Sequence, residues 1–259
     1  MGKAVLLPAM LMVSALAGCV SETVYLSQGR KTGEVMFQPS QAALTRMNLG
    51  LEYLRRGDTG QAKFNLERAL SQDGRNPDIH LALAYFFQSV SDHDKAEQHY
   101  RQVLQLDPQH GDGLNNYGAF LCDRERFDEA DVMFRKAISV FGYAKVADTL
   151  ENAALCALEG GQSEAAQGYF QRALEYSPNK PRALLGMAGL ELERGDPVFA
   201  RLYLDRYRQR HSPSAQSLWM TVRTARAQGL ESEAQQAGAE LVHLFPDSEQ
   251  ARRFLTHDY

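Results

Sequence analysis

The chain lacks the residue patterns that carry most enzyme chemistry. Its three cysteines, Cys19, Cys122 and Cys156, form no CxxC pair, and its seven histidines form no HExxH or other ligand spacing. There is no GxSxG, no Walker sequence and no GxGxxG following a strand. Acidic residues are plentiful, but most fall on helix starts and solvated faces, whereas catalysis needs such groups to converge in a pocket. A basic excess is also missing: 28 Lys and Arg stand against 32 Asp and Glu, for a net charge of −4. That balance argues against nucleic acid as a partner. No apolar run is long enough to cross a bilayer. The expectation is therefore a non-enzyme with no cofactor, no metal and no small-molecule substrate. With 44% hydrophobic residues, the chain is not a disordered one either.

What the chain does have is a repeat. In Asp92–Pro108, Ala96, Tyr100, Val103 and Leu104 fall at helical spacing and form one apolar stripe. Asp92 and Asp94 lie at the start, where unpaired backbone N–H groups favour negative charge, and Pro108 stops the helix. The slot of Ala96 recurs as Ala62, Ala130, Ala166, Ala200 and Ala234, a period of about 34 residues in which only the step from Ala130 to Ala166 is longer, by two. Four residues after each alanine come Leu66, Tyr100, Phe134, Phe170, Leu204 and Gly238; twelve before come Gly50, Ala84, Gly118, Ala154, Ala188 and Val222. Small residues let two helices approach, and the larger apolar ones fill the space around that contact, so each unit reads as a helical hairpin. The pattern resembles the tetratricopeptide repeat, over residues 41–248 as six tandem units. The implied fold is all-α, a solenoid of six repeats and twelve antiparallel helices. Glu191, Ala225 and Gly238 depart from it, standing at slots that are usually bulkier.

The N-terminus is a separate object. Lys3 precedes the apolar AVLLPAMLMVSALAG, as in a secretory signal peptide. Leu16-Ala17-Gly18-Cys19 resembles the bacterial lipobox at all four positions. That resemblance implies a signal peptide over 1–18, and lipid on the Cys19 sulfur and on its new amino group. Val20 stands where an aspartate would imply retention at the inner membrane, so the implied location is the periplasmic face of the outer membrane. With Cys19, the polar segment up to residue 40 reads as a tether reaching at most roughly 70 Å. Val35, Met36 and Phe37 either dock on the first repeat, the preferred reading, or meet a partner.

In the first repeat, Leu44, Met47, Leu51 and Leu54 lie along one side of a helix, while Leu49, Gly50 and Tyr53 form a face assigned to repeat packing. Leu44, Met47, Leu51 and Leu54 fall where the repeat family lines its inner concave surface, and Leu81 and Tyr85 continue that surface in the second repeat. These six residues are the candidate partner-binding site; the alternative is that the tether or a neighbouring helix covers them. Later repeats place polar groups on the same face: Asp112 and Asn115, Asp148 and Glu151, Arg182, then Arg223 and Arg226. Phe141-Gly142-Tyr143 adds two residues between the third and fourth repeats, read as a longer turn. Residues 249–259 read as a short closing helix or a frayed end.

Cys122 and Cys156 lie in the leading helices of adjacent repeats. A disulfide needs Cα atoms within about 7 Å, whereas packed helix axes lie about 8–10 Å apart. Buried free thiols are therefore favoured.

A lipobox, a tether and six such repeats, including NNYGAFLCDRERFDEADVMFRKA from Asn115 to Ala137, together resemble the type IV pilus biogenesis and stability lipoproteins, the PilF/PilW family. The resemblance implies a pilotin: an adaptor that binds the secretin subunit and promotes its outer-membrane localisation and multimerisation, for pilus assembly and twitching motility. Two alternatives of similar build are a barrel-assembly component like BamD, whose family resembles five repeats rather than six, and a scaffold for peptidoglycan hydrolases like the NlpI lipoproteins. An enzyme is the alternative of a different class.

Overall fold

The structure is a computed structural model that describes residues 39–258, which belong to one compact unit. Cys19 and the segment Val35–Phe37 lie outside the described residues. The described residues are all-α, with thirteen helices and no strand. Six hairpins come in order: α1 (Pro39–Arg55) with α2 (Thr59–Gln72), α3 (Pro77–Ser89) with α4 (His93–Leu106), and α5 (Gly111–Cys122) with α6 (Phe127–Ser139). Then come α7 (Val146–Glu159) with α8 (Ser163–Tyr176), α9 (Pro181–Glu193) with α10 (Pro197–Arg208), and α11 (Ala215–Ala227) with α12 (Glu231–Leu244). A thirteenth helix, α13 (Glu249–Leu255), follows. The architecture is a tetratricopeptide solenoid.

The alanine slot works as its spacing predicts. All six alanines, from Ala62 to Ala234, are fully buried. The bulky residue four positions on fills the gap beside a small one: a Cβ added to Gly118 would lie 2.8 Å from the Phe134 ring, and one on Gly50 would lie 2.7 Å from Leu66. Gly238, which breaks the pattern, is explained from outside its hairpin. The ring of Phe254 in α13 occupies the space a Cβ there would need. The thirteenth helix keeps the grid, since its cap Ser248 stands one full period after Ser214, the cap of α11. Both serines accept a backbone N–H through their side chains. α13 is thus a shortened seventh leading helix that covers the end of the last hairpin.

Each hairpin turn is the same device. A residue at positive φ ends the leading helix, and the next N–H reaches back five residues, as in Asp58 to the Tyr53 carbonyl (3.0 Å) and Asp196 to that of Glu191 (2.8 Å). Gly57, Gly161, Gly195 and Gly229 take this position without strain, and Ser91 and Glu125 take it at φ 60° and 58°.

Of three further expectations, two are corrected. Leu49 does not pack between repeats and is 40% exposed. Its counterpart in the next repeat, Leu83, is buried by the hairpin before it, and among the described residues no hairpin precedes α1. The two extra residues before the fourth repeat do lengthen the turn: six residues join α6 to α7, where four join α2 to α3, α4 to α5 and α8 to α9. Within the fourth hairpin the register is kept, with Ala154 twelve residues before Ala166. Lastly, Cys122 and Cys156 are not free thiols but form a disulfide, with Cα atoms 5.8 Å apart. Axis separation was the wrong measure. Cα atoms lie on a cylinder of radius about 2.3 Å, so facing residues on two helices come about 4.6 Å closer than their axes.

Candidate functional site

The leading helices present one side chain per repeat, each a full period after the last, along the inner surface. Met47 of α1 is followed in this row by Leu81 of α3 and Asn115 of α5, and Leu51 is followed by Tyr85. The first two repeats therefore share an apolar groove of about 690 Å³. Met47, Leu51, Leu54, Leu81, Ala82 and Tyr85 line it, with Arg55, Thr59, Asp78, Ser89 and Asn116 also on its walls. Five of the six residues singled out in the sequence are thus brought together. Leu44 is not; it lies half-buried one turn before Met47, outside the lining.

The members of the groove differ in what else they do. Met47, Leu51, Leu54 and Leu81 are partly buried and also pack against the core of the first three repeats. Tyr85 is 55% exposed and stands free of that core. The polar wall is already engaged: Arg55 pairs with Glu52 (2.8 Å), and the Asp78 carboxylate lies 3.0 Å from His110 Nε2. Little charge faces the floor, so the groove suits an apolar segment of a partner.

Along the next three repeats the inner surface is polar and occupied by itself. Asp112 accepts hydrogen bonds from Lys145 Nζ (2.7 Å) and the Tyr143 hydroxyl (3.0 Å). Burial opposes ionisation of Asp112, but those two donors outweigh it and hold its carboxyl below the ordinary value. Lys180 bonds Asp148. Asn152 donates to Asn115 (3.1 Å) and accepts from Arg182 (3.2 Å). Glu151, expected on the open face, is buried and accepts the backbone N–H of Ala183 in the first turn of α9 (3.0 Å). The first turn of α9 closes over this slot, and Leu185 and Trp219, which hold it in the fifth and sixth repeats, are buried as well.

A second groove, of about 780 Å³, was not foreseen. It opens between α10, α11 and α12, where Leu204, Tyr207, Leu218 and Leu230 meet Arg208, Ser217 and Glu233. It has no periodic signature, because it arises from the spacing of the hairpins rather than from any one row. Two of its glutamates are held within the chain, Glu231 by Arg226 (3.1 Å) and Glu233 by Arg201 (2.9 Å). Among the described residues there is no group of three or more His, Cys, Asp or Glu that could hold a metal.

Comparison with known proteins gives the family of the chain. Residues 157–220 match the tetratricopeptide repeat family, and residues 47–155 match the middle tetratricopeptide-like domain of cilia and flagella-associated protein 70. The type IV pilus assembly protein PilF of Pseudomonas aeruginosa is 34% identical over 208 residues, covering 80% of this chain and 82% of that one. The chain belongs to the PilF/PilW family of type IV pilus biogenesis proteins. The solved structure of Pseudomonas aeruginosa PilF superposes with a TM-score of 0.75 at 33% identity, over 85% of this chain and 99% of that one. That of PilW, a widely conserved type IV pilus biogenesis factor, gives 0.74 at 31% identity, over 83% and 99%.

Proposed function

We propose that the protein is an outer-membrane lipoprotein adaptor, a pilotin. It is anchored through lipid on Cys19, binds the type IV pilus secretin subunit, and promotes that subunit's outer-membrane localisation and multimerisation. It acts by binding and not by catalysis. The observation that carries this reading is the N-terminal groove, an apolar surface of the kind a monomer otherwise covers, in a chain of the pilus biogenesis family. The Cys122–Cys156 disulfide supports an oxidising compartment such as the periplasm. The apolar side of a secretin helix or strand would lie against Leu51, Leu54, Leu81 and Tyr85.

The test is pull-down of secretin monomers together with circular dichroism. Tyr85→Asp should weaken capture at least about tenfold, a loss of about 1.4 kcal/mol, with helix content unchanged. Leu51→Asp with Leu54→Asp should weaken it further, though these two also touch the core. If Tyr85→Asp binds secretin normally, the contact lies elsewhere on the solenoid. The anchor is tested separately. Cys19→Ser should leave the protein unprocessed or mislocalised and the secretin largely outside the outer membrane, because several acyl chains hold far more firmly than one. Normal fractionation of that mutant would remove the lipoprotein reading.

A further inference from the structure

The outer face of α10 departs from every other trailing helix. Val198 and Phe199 stand two and one places before the fifth hairpin's Ala200, and Leu202 follows it by two. Their exposures are 61%, 54% and 58%. No other repeat is apolar at all three places: the second has Asp94, Lys95 and Gln98, and the sixth has Ser232, Glu233 and Gln236. The core does not need these side chains, because Ala200, Leu204 and Tyr207 fill the buried side of the same helix.

Positive charge predominates around the patch. Residues 194–211 hold five arginines and two aspartates, in a chain whose net charge is −4. Both aspartates are engaged: Asp196 caps the Phe199 N–H (3.1 Å), and Asp205 pairs with Arg208 (2.6 Å). Arg206 continues the stripe one turn beyond Leu202, and Arg210 follows just past the end of the helix. Neither has a carboxylate partner among the described residues. Three exposed apolar side chains beside unpaired arginines on one helix face make an amphipathic surface suited to the boundary of an anionic bilayer. There the apolar groups enter the acyl region and the arginines meet phosphates.

We propose that this face of α10 rests on an anionic lipid surface, as a contact separate from any lipid anchor and independent of the secretin reading. It lies on a trailing helix, whereas the N-terminal groove is built from the leading helices α1 and α3, so the two can be occupied at once.

The experiment is flotation of the unlipidated chain, residues 20–259, which contains the whole compact helical unit. The vesicles are of equal parts phosphatidylglycerol and phosphatidylcholine, or of phosphatidylcholine alone. The protein should float with the anionic vesicles only, and less so as salt is raised. Val198→Ser with Phe199→Ser and Leu202→Ser should weaken that binding by about tenfold or more. The thermal midpoint should not move, because exposed substitutions rarely affect stability. Arg206→Glu with Arg210→Glu should also weaken it. Absence of binding to anionic vesicles overturns the proposal, as does a triple variant that floats like its parent. A protein role overturns it too, seen as self-association by sedimentation that the triple variant lacks while vesicles bind neither chain.

Discussion

The inner surface of the first two repeats and that of the next three are built from the same helices at the same spacing, yet they are put to opposite uses. In the first two, Leu51, Leu54 and Leu81 are only partly buried, and Tyr85 is left largely in water. In the next three, Asp112, Asp148, Glu151 and Arg182 bond to the neighbouring repeat or to its backbone. Polar groups on a concave face are thus not by themselves a binding site. A charge already satisfied by the chain has little left for a ligand, and displacing its partner carries a desolvation cost. The apolar groove of the first two repeats carries no such cost.

This contrast predicts that substitutions in the central repeats act on stability, while substitutions in the N-terminal groove act on binding. The largest effect should come from the disulfide, which joins the third and fourth repeats across a sequence separation of 34. Cys122→Ser with Cys156→Ser should cost about 2–4 kcal/mol, read by urea unfolding under oxidising conditions. An unchanged midpoint would mean that the bridge does not hold the two repeats together. Next, Glu151→Ala leaves the Ala183 N–H without its acceptor and should cost about 2–3 kcal/mol. That corresponds to a fall in the thermal midpoint of about 4–12 °C for a chain of this size, with secretin capture unaffected. Ala130→Leu tests the hairpin contact common to both regions; at a fully buried site beside the facing helix it should cost about 1–3 kcal/mol. By contrast, Tyr85→Ala should change stability by less than about 0.5 kcal/mol. A large loss there would make Tyr85 part of the core and erase the distinction.

The two regions also differ in how they respond to pH. In the second repeat His80 donates from Nε2 to the Gly74 carbonyl (3.1 Å), and its Nδ1 lies 3.0 Å from His99 Nδ1. Burial, and then the charge of His80, lowers the pKa of His99 from 6.5 to about 4. The unfolded chain therefore binds the proton more readily between those values, and stability falls as pH drops from about 6.5 towards 4. The lowered carboxyl of Asp112 works in a later window: its contribution is complete above the ordinary carboxylate range and is lost as pH falls below it. Thermal melts from pH 7 to pH 3 should show the first decline in the parent and not in His99→Gln.

The rows Met47–Leu81 and Leu51–Tyr85 were legible because the repeat period carries each inner position forward unchanged, and a run of leucines at helical spacing needs no partner to be seen. Glu151 kept its slot in the row but was misplaced because the first turn of α9 closes over it and takes its carboxylate as an acceptor. Leu49 was misplaced because its slot is buried only when another hairpin stands before it. Leu44 met the spacing rule but sits a turn too early on α1 to reach the groove.

By itself the sequence determined the all-α class, the hairpin register and the alanine contacts, because each rests on a period that repeats within the chain. Contacts between repeats were decided only by the tertiary structure. The bridge from Cys122 to Cys156 depends on how closely two facing Cα atoms approach, which axis spacing does not give. Phe254 covering Gly238 depends on a helix that follows the last alanine of the grid. The ladder from Asp112 to Arg182 depends on which charge lies within reach of which neighbour. In each case a local pattern names the residue, and only the stacking of one hairpin on the next supplies its partner.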